Sequence, residues 1–360
     1  MTTREGLGWP DPHAEASAAE SSGLGWPAED KSQTVPPEGP RPDPVSETSQ
    51  RDPVHGESKL VSKALKSADV SRETLTQAAP RLKATADKKE WPKPPRCRII
   101  TIANQKGGVG KTTSAVNLAA ALSMHGSRVL VVDLDPQGNA STALGVEHHA
   151  EVPSVYNVIL EDGPFDDIVV PAEGLANLYC APATLHLAGA EVDLVPMVAR
   201  ESRLRRALEA YDTDRFDYIL IDCPPSLGLL TVNALTGADE LLIPIQTEYY
   251  ALEGLSQLLH TVDLVKQHLN PHLTVSTILL TMYDARTRLA AQVSEEVRGH
   301  FGELVLGTVI PRSVRVSEAP SYGESVLTYD PGSSGSLAYI EAAREMAYRG
   351  AGFANTGAGT

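Results

Sequence analysis

Cysteine is scarce in this chain: Cys97, Cys180 and Cys223 are the only three in 360 residues. They have no metal-ligand spacing and are too few to staple a chain of this size, which excludes a disulfide framework and fits a reducing cytosol. Long apolar runs are missing as well. No stretch approaches the roughly 20 residues that cross a bilayer, and the opening MTTREGLGWPDP lacks the apolar centre of an export signal. Nothing in the sequence sends the protein out of the cell. Positive charge is in deficit: 31 Lys and Arg stand against 46 Asp and Glu, for a formal net charge of -15 and a pI near 5.1. As a whole-molecule property this argues against a surface coated for nucleic acid or anionic lipid, while local basic patches remain open.

What is present divides the chain in two. Residues 1–95 are rich in Pro, Ser, Glu and Ala with few β-branched clusters, so they bury too little apolar surface to offset the entropy of ordering and read as a disordered tail. Its charge is uneven: residues 1–57 hold 4 basic and 11 acidic side chains, and residues 58–98 hold 11 and 4. The pentapeptide Gly-Leu-Gly-Trp-Pro occurs twice, at Gly6–Pro10 and Gly23–Pro27, either as a duplicated docking motif or as drifted low-complexity sequence. Ser58–Leu82 spaces Leu and Ala among Lys and Arg, a pattern compatible with partial helix.

From Arg98 the pattern changes to apolar runs separated by helical stretches, the signature of βαβ units. Strands are expected at Arg98–Asn104, Arg128–Asp133, Asn177–Cys180, Tyr218–Asp222, Glu240–Ile245, Thr274–Leu280 and Leu304–Val309. Most are continuously apolar, as in a parallel sheet covered on both faces. Helical spacing appears at Thr112–His125, Glu201–Tyr211, Leu229–Leu235, Ala251–Gln267, Ala290–Phe301 and Ser336–Met346. The expected fold is α/β, with a mostly parallel sheet between helical layers on both faces, over residues 96–349, with residues 350–360 frayed.

Three motifs carry chemistry. The first strand runs through Gln105-Lys106-Gly107-Gly108-Val109-Gly110-Lys111-Thr112-Thr113 into a helix, the context in which a phosphate loop works. Glycines at 107, 108 and 110 leave backbone N–H groups free to face a phosphate, Lys111 would reach the β- and γ-phosphates, and the Thr112 hydroxyl would be a Mg²⁺ ligand. A second apolar strand ends in Asp133-Leu134-Asp135, at the sheet end where ligands of open α/β folds gather. The third, Tyr218-Ile-Leu-Ile-Asp222, has the form of a Walker B strand, whose acid holds Mg²⁺ through water.

The loop departs from G-x-x-x-x-G-K-[ST], because Gln105 stands at the first glycine position and a second lysine, Lys106, follows. In this it resembles the deviant Walker A form of the ParA/MinD family of P-loop ATPases. Three later strings sharpen the resemblance to the chromosomal, Soj-like branch: Gln246–Gly254, Thr281–Thr287 and Val309–Ser321. It covers about Arg98 to Arg349 and implies ATP and Mg²⁺ as cofactors.

By that resemblance, Lys106 contacts phosphate across a nucleotide-sandwich homodimer, Asp135 orients the attacking water and Asp133 supports the Mg²⁺ ligands. Pro311, Arg312 and Ser313 lie in the string that wraps the adenine, although Ser313 stands where Asn is expected. The resemblance further implies non-specific DNA binding by the ATP dimer, slow hydrolysis stimulated by a ParB-type partner, and a cytoplasmic, nucleoid-associated protein without membrane contact. Arg286, Arg288, Arg312 and Arg315 are the candidates for DNA phosphate, against the plainer reading of solvated or internally paired arginines. Arg200, Arg203, Arg205 and Arg206 read as a solvated helix face. The rivals are a MinD-like membrane-cycling ATPase, which needs a basic amphipathic C-terminal helix, and a non-hydrolysing nucleotide-dependent scaffold, which would lose the switch aspartate. An iron–sulfur reductase needs cysteines at other positions.

Overall fold

The computed structural model describes residues 90–249 and 253–352. The Gly-Leu-Gly-Trp-Pro repeats, the basic segment Ser58–Leu82, Tyr250–Leu252 of the first resemblance string, and residues 353–360 lie outside the described residues.

Eight strands form one sheet: β1 Arg98–Ile102, β2 Val129–Asp133, β3 Val170–Pro171, β4 Leu178–Ala181, β5 Tyr218–Asp222, β6 Glu240–Gln246, β7 Thr274–Tyr283 and β8 Val305–Pro311. Their order is β3-β4-β2-β5-β1-β6-β7-β8, with β3 antiparallel to β4 and the other pairings parallel. The helices are α1 Lys111–Met124, α2 Asn139–Ala143, α3 Val155–Glu161, α4 Leu187–Leu194, α5 Arg203–Ala210, α6 Leu229–Gly237, α7 Glu253–His268, α8 Arg288–Phe301, α9 Val314–Glu318, α10 Val326–Tyr329 and α11 Ser334–Gly350.

The continuous apolar strands are explained by the two cores. Along β2, Val129 and Val131 join one core while Leu130 and Val132 join the other, and β5 divides in the same way. One core packs α1, α2, α10 and α11 against the sheet; the other packs α3 to α8. Period-2 side-chain alternation therefore buries both faces. Every expected strand is present, β3 being an addition of two residues that is too short to leave a periodic signal. The added helices α2, α3, α4, α9 and α10 have four to eight residues each, one or two turns, which is too little for a 3.6-residue period to stand out.

Two boundaries move. Helix α11 runs to Gly350, beyond Met346, because its later turns still bury Ala347. Trp91, which a boundary at residue 95 assigns to the tail, is buried at 7% exposure. Its indole stacks on the His125 ring at the C-terminus of α1, with centroids 3.8 Å apart and planes 8° from parallel, and its backbone N–H donates to the His125 carbonyl at 3.1 Å. A further ion pair, Lys93 Nζ to Asp217 at 3.0 Å, fastens the same segment. Removing a buried indole costs about 3 kcal/mol, so Trp91→Ala is expected to lower the urea midpoint of the full chain by that equivalent. An unchanged midpoint would show that residues 90–95 are not part of the folded body.

Candidate functional site

The phosphate loop is shaped by a few local hydrogen bonds. Asn104, buried at the end of β1, donates through Nδ2 to the Pro244 carbonyl at 2.8 Å and accepts the Lys106 N–H at Oδ1 at 3.0 Å, which turns the chain out of the sheet. Gly108 and Gly110 then take left-handed φ values of 72° and 88°, a region glycine enters without steric cost. Gly110 is also the residue before α1, and no side chain caps that helix. The first N–H groups and the positive end of the helix dipole are thus left for an anion. A Cβ placed on Gly107 or Gly108 would meet nothing within 4 Å, so the space above the loop is open. Lys111 is 7% exposed, and burial pulls its ammonium pKa down against the opposing pull of Asp222 and Asp135. Val109 is buried, and Thr112 and Thr113 are half-buried in the first turn.

Strand register brings the acids to the loop. Asp133 pairs with Asp222 across β2 and β5, and Asp222 pairs with Ile102 of β1, so Asp222 ends the strand beside the loop's own strand and Asp133 ends the next one out. Both are fully buried, and their environments differ. Asp133 accepts from the Asp135 N–H at 3.1 Å, the Ser141 N–H at 2.9 Å and the Ser141 hydroxyl at 2.7 Å. Burial nevertheless pushes its pKa up to about 6. Its oxygens are thereby committed to positioning Asp135 and α2. Asp222 has no hydrogen-bond partner on either buried oxygen. Burial and the Asp133 charge raise its pKa well above the carboxylate range, with the Thr112 hydroxyl the leading group that opposes them. An orphaned buried carboxylate beside a threonine hydroxyl and an open glycine cradle fits a hydrated cation. Among the described residues no group of three or more His, Cys, Asp or Glu forms a metal cage. Mg²⁺ suits such a place, since it draws its other ligands from phosphate oxygens and water. Asp135 is 8% exposed and accepts the Gln137 N–H at 3.0 Å, which fixes it at the head of the loop leading to α2.

On the rim, the Lys106 ammonium lies 3.3 Å from Glu248, whose other oxygen is 3.2 Å from the Arg312 guanidinium. Gln246 also donates to Glu248. Arg312 donates its N–H to the Tyr283 carbonyl at 3.0 Å, and Pro311 and Ser313 flank it at the end of β8. The structure therefore links the loop to the Pro311–Ser313 string through Glu248, a residue that sequence reasoning quoted within a string and gave no role. Ser141, which holds Asp133, was missed entirely, and its position eight residues past the acid carried no signal.

Arg286 and Arg288 follow β7, and Arg312 and Arg315 follow β8, so the four sit in the loops after adjacent strands or in the first turn of the helices that those loops lead to. Arg288 is exposed. Arg286 chelates Asp284 at 2.9 and 2.8 Å and holds that carboxyl down at about 2. Arg315 contacts Glu318 at 3.0 Å and Asp330 at 3.4 Å. Such exposed pairs are weak, so they leave the guanidinium groups available to a phosphate. The second arginine cluster needs correction: Arg203 is not solvated but 6% exposed, donating to the Ile159 and Leu160 carbonyls at the end of α3 and pairing with Asp162 at 2.8 Å. It satisfies carbonyls that a helix end leaves open.

Known proteins share this arrangement. A family model described as an AAA domain matches residues 97–275. The chain is 56% identical over 253 residues to sporulation initiation inhibitor protein Soj of Bacillus subtilis, covering 70% of this chain and 99% of Soj. It is 54% identical over 252 residues to chromosome partitioning protein ParA of Myxococcus xanthus, covering 70% and 88%. A solved Mycobacterium smegmatis structure, named cobyrinic acid a,c-diamide synthase and holding an ATP analogue and magnesium, is similar at TM-score 0.61 and 39% identity over 70% of this chain and 95% of that one. MinD of Pyrococcus horikoshii, complexed with Mg-ADP, is similar at TM-score 0.55 and 26% identity over 69% and 96%. The partitioning proteins match over the same span at higher identity than the synthase. With a deviant phosphate loop, strand-end acids beside it and 56% identity to Soj over 253 residues, the chain belongs to the Soj/ParA family of P-loop partitioning proteins.

Proposed function

We propose that this protein is an ATP-hydrolysing chromosome segregation factor whose ATP-bound homodimer binds DNA without sequence preference. The observation that carries the reading is the fully buried, orphaned Asp222 facing a glycine cradle with a second lysine on its rim. Gly107 to Thr113 cradle the triphosphate, Lys111 neutralises its inner charge, and Thr112 and Asp222 would hold Mg²⁺, which would supply charge stabilisation at the phosphates. Asp133 keeps Asp135 in place, and Asp135 orients the attacking water. Because catalysis of phosphoryl transfer is mostly positioning and charge stabilisation, turnover is slow until a ParB-type partner orders the loop after Asp135. Lys106 leaves Glu248 to reach the phosphates of the partner subunit. Pro311 to Ser313 take the adenine side, and Arg286, Arg288, Arg312 and Arg315 offer the DNA-facing charge on the nucleoid. Hydrolysis then dissolves the dimer and its DNA affinity together.

Two measurements test this. Asp135→Ala should bind ATP and remain on DNA in a sedimentation assay, with turnover at least tenfold below wild type and no response to a ParB-type protein; turnover at the wild-type rate would remove Asp135 from the mechanism. The second follows from the buried acids. Asp133 titrates at about 6 in the folded chain and at about 3.9 when unfolded, so its contribution to stability is present at low pH and is lost as pH rises through 6. The raised Asp222 pKa acts in the same direction. A bound cation opposes this loss, so the rise in melting temperature caused by Mg-ADP should be larger at about pH 7.5 than at about pH 5. Asp222→Asn should raise the ligand-free melting temperature at the higher pH and abolish the Mg²⁺-dependent part of the shift. Equal shifts at both pH values, together with an unaltered Mg²⁺ response in the variant, would reject Asp222 as the metal-side acid.

A further inference from the structure

The phosphate loop has a conformational problem that its own residues do not solve. Its glycines give it the left-handed turns at Gly108 and Gly110, but glycine occupies φ of either sign with similar ease. The peptide between Val109 and Gly110 is therefore unrestrained by sterics on its Gly110 side. In a planar trans peptide the carbonyl and the N–H point in opposite directions, and the described chain has no cis bond. Whatever fixes the Val109 carbonyl on one side of the loop fixes the Gly110 N–H on the other.

One side chain does so. Thr281, 2% exposed on β7, donates its hydroxyl proton to the Val109 carbonyl at 2.8 Å. Its methyl group is the nearest atom to a Cβ built on Gly110, at 3.9 Å. The hydroxyl thus holds the peptide while the methyl faces the side of Gly110 where a Cβ would stand, and a β-branched side chain is stiff at χ1, so the hydroxyl direction is set by the strand. The strand is held in turn: the Thr247 N–H donates to the Thr281 carbonyl at 3.2 Å, extending the pairing of β6 with β7. The next residue, Met282, takes a left-handed φ of 51°. Such a conformation in a residue other than glycine is strained, and persists where the surroundings over-determine it.

We infer that Thr281 is a positioning residue for nucleotide binding: its hydroxyl holds the Val109 carbonyl toward β7, so that the Gly110 N–H is presented to the phosphate before the nucleotide arrives. This rests on the nucleotide reading of the loop. Without the hydroxyl, the Val109 carbonyl loses its partner and the peptide turns to find another; binding must then turn it back, and affinity falls. The role is separable from packing, because valine keeps the shape of threonine and serine keeps its hydroxyl.

The test measures binding of a fluorescent ADP analogue with Mg²⁺ to the full chain, alongside circular dichroism melting without nucleotide. Thr281→Val should bind about five- to tenfold more weakly than wild type, the scale of one buried hydrogen bond, while Thr281→Ser stays within about twofold of wild type. A folded Val variant that binds like wild type would overturn the inference, as would a folded Ser variant as weak as Val. Should the Val variant fail to fold, Thr281→Ala against Thr281→Ser makes the same comparison, weak against near-normal binding supporting the role and equal binding rejecting it. Failure of the wild-type chain to bind the analogue at all would instead remove the nucleotide reading, and this inference with it.

Discussion

Two carboxylates end neighbouring strands at the same rung of the sheet, both out of reach of water, and the site is built around keeping them there. Like charges in a buried place repel and lose solvation, and each is stable only if something compensates it. For Asp133 the compensation is internal: Ser141 and the Asp135 N–H take its oxygens. For Asp222 the described residues supply only partial relief, through Thr112 and Lys111, and leave both oxygens without a hydrogen bond. The asymmetry divides the work. Asp133 is satisfied as folded and holds the Asp135 N–H, whereas Asp222 keeps both oxygens open, and under the proposed function a Mg²⁺ ion would complete it. Buried polar groups left in this state are rare and costly, which is why the site reads as waiting for a ligand.

The geometry around that pair follows from the parallel sheet. Parallel strands all point their C-terminal ends the same way, so the loop after β1 and the acids ending β2 and β5 must meet. This much was legible in the sequence, since continuous apolar runs ending in an acid or in a glycine loop carry a strong pattern. Less legible were the side chains that hold the site in shape. Ser141 and Thr281 are ordinary residues: Ser141 reaches Asp133 from the short helix α2 eight residues on, and Thr281, far along the chain, comes to Val109 only through strand order. Arg203 shows the opposite error: charge at helical spacing reads as solvated, yet this guanidinium closes the end of α3. Composition likewise placed Trp91 in the tail, because a lone Trp among prolines gives no periodic signal, although its ring is stacked on His125.

The departure of the loop from the ordinary pattern has a structural counterpart. Lys111 is buried at the start of α1, and under the proposed function it serves the chain's own phosphates. Lys106 lies instead on the half-exposed rim against Glu248. Exposed ion pairs of this kind contribute between about 0 and 1 kcal/mol, little against the charge-assisted contact that a triphosphate offers. Glu248 therefore keeps Lys106 oriented without holding it back, and it joins the lysine to Arg312 just past β8. Under the proposed function the chain thus has one lysine for its own nucleotide and one for the partner's.

The central claim is that this second lysine makes ATP the link between two subunits. Mass photometry of Asp135→Ala and of the double variant Lys106→Ala, Asp135→Ala, each with ATP and Mg²⁺, tests it without interference from hydrolysis. The account predicts dimers for the first and monomers for the second, with nucleotide still bound to both. Dimers of equal abundance in the two would contradict it.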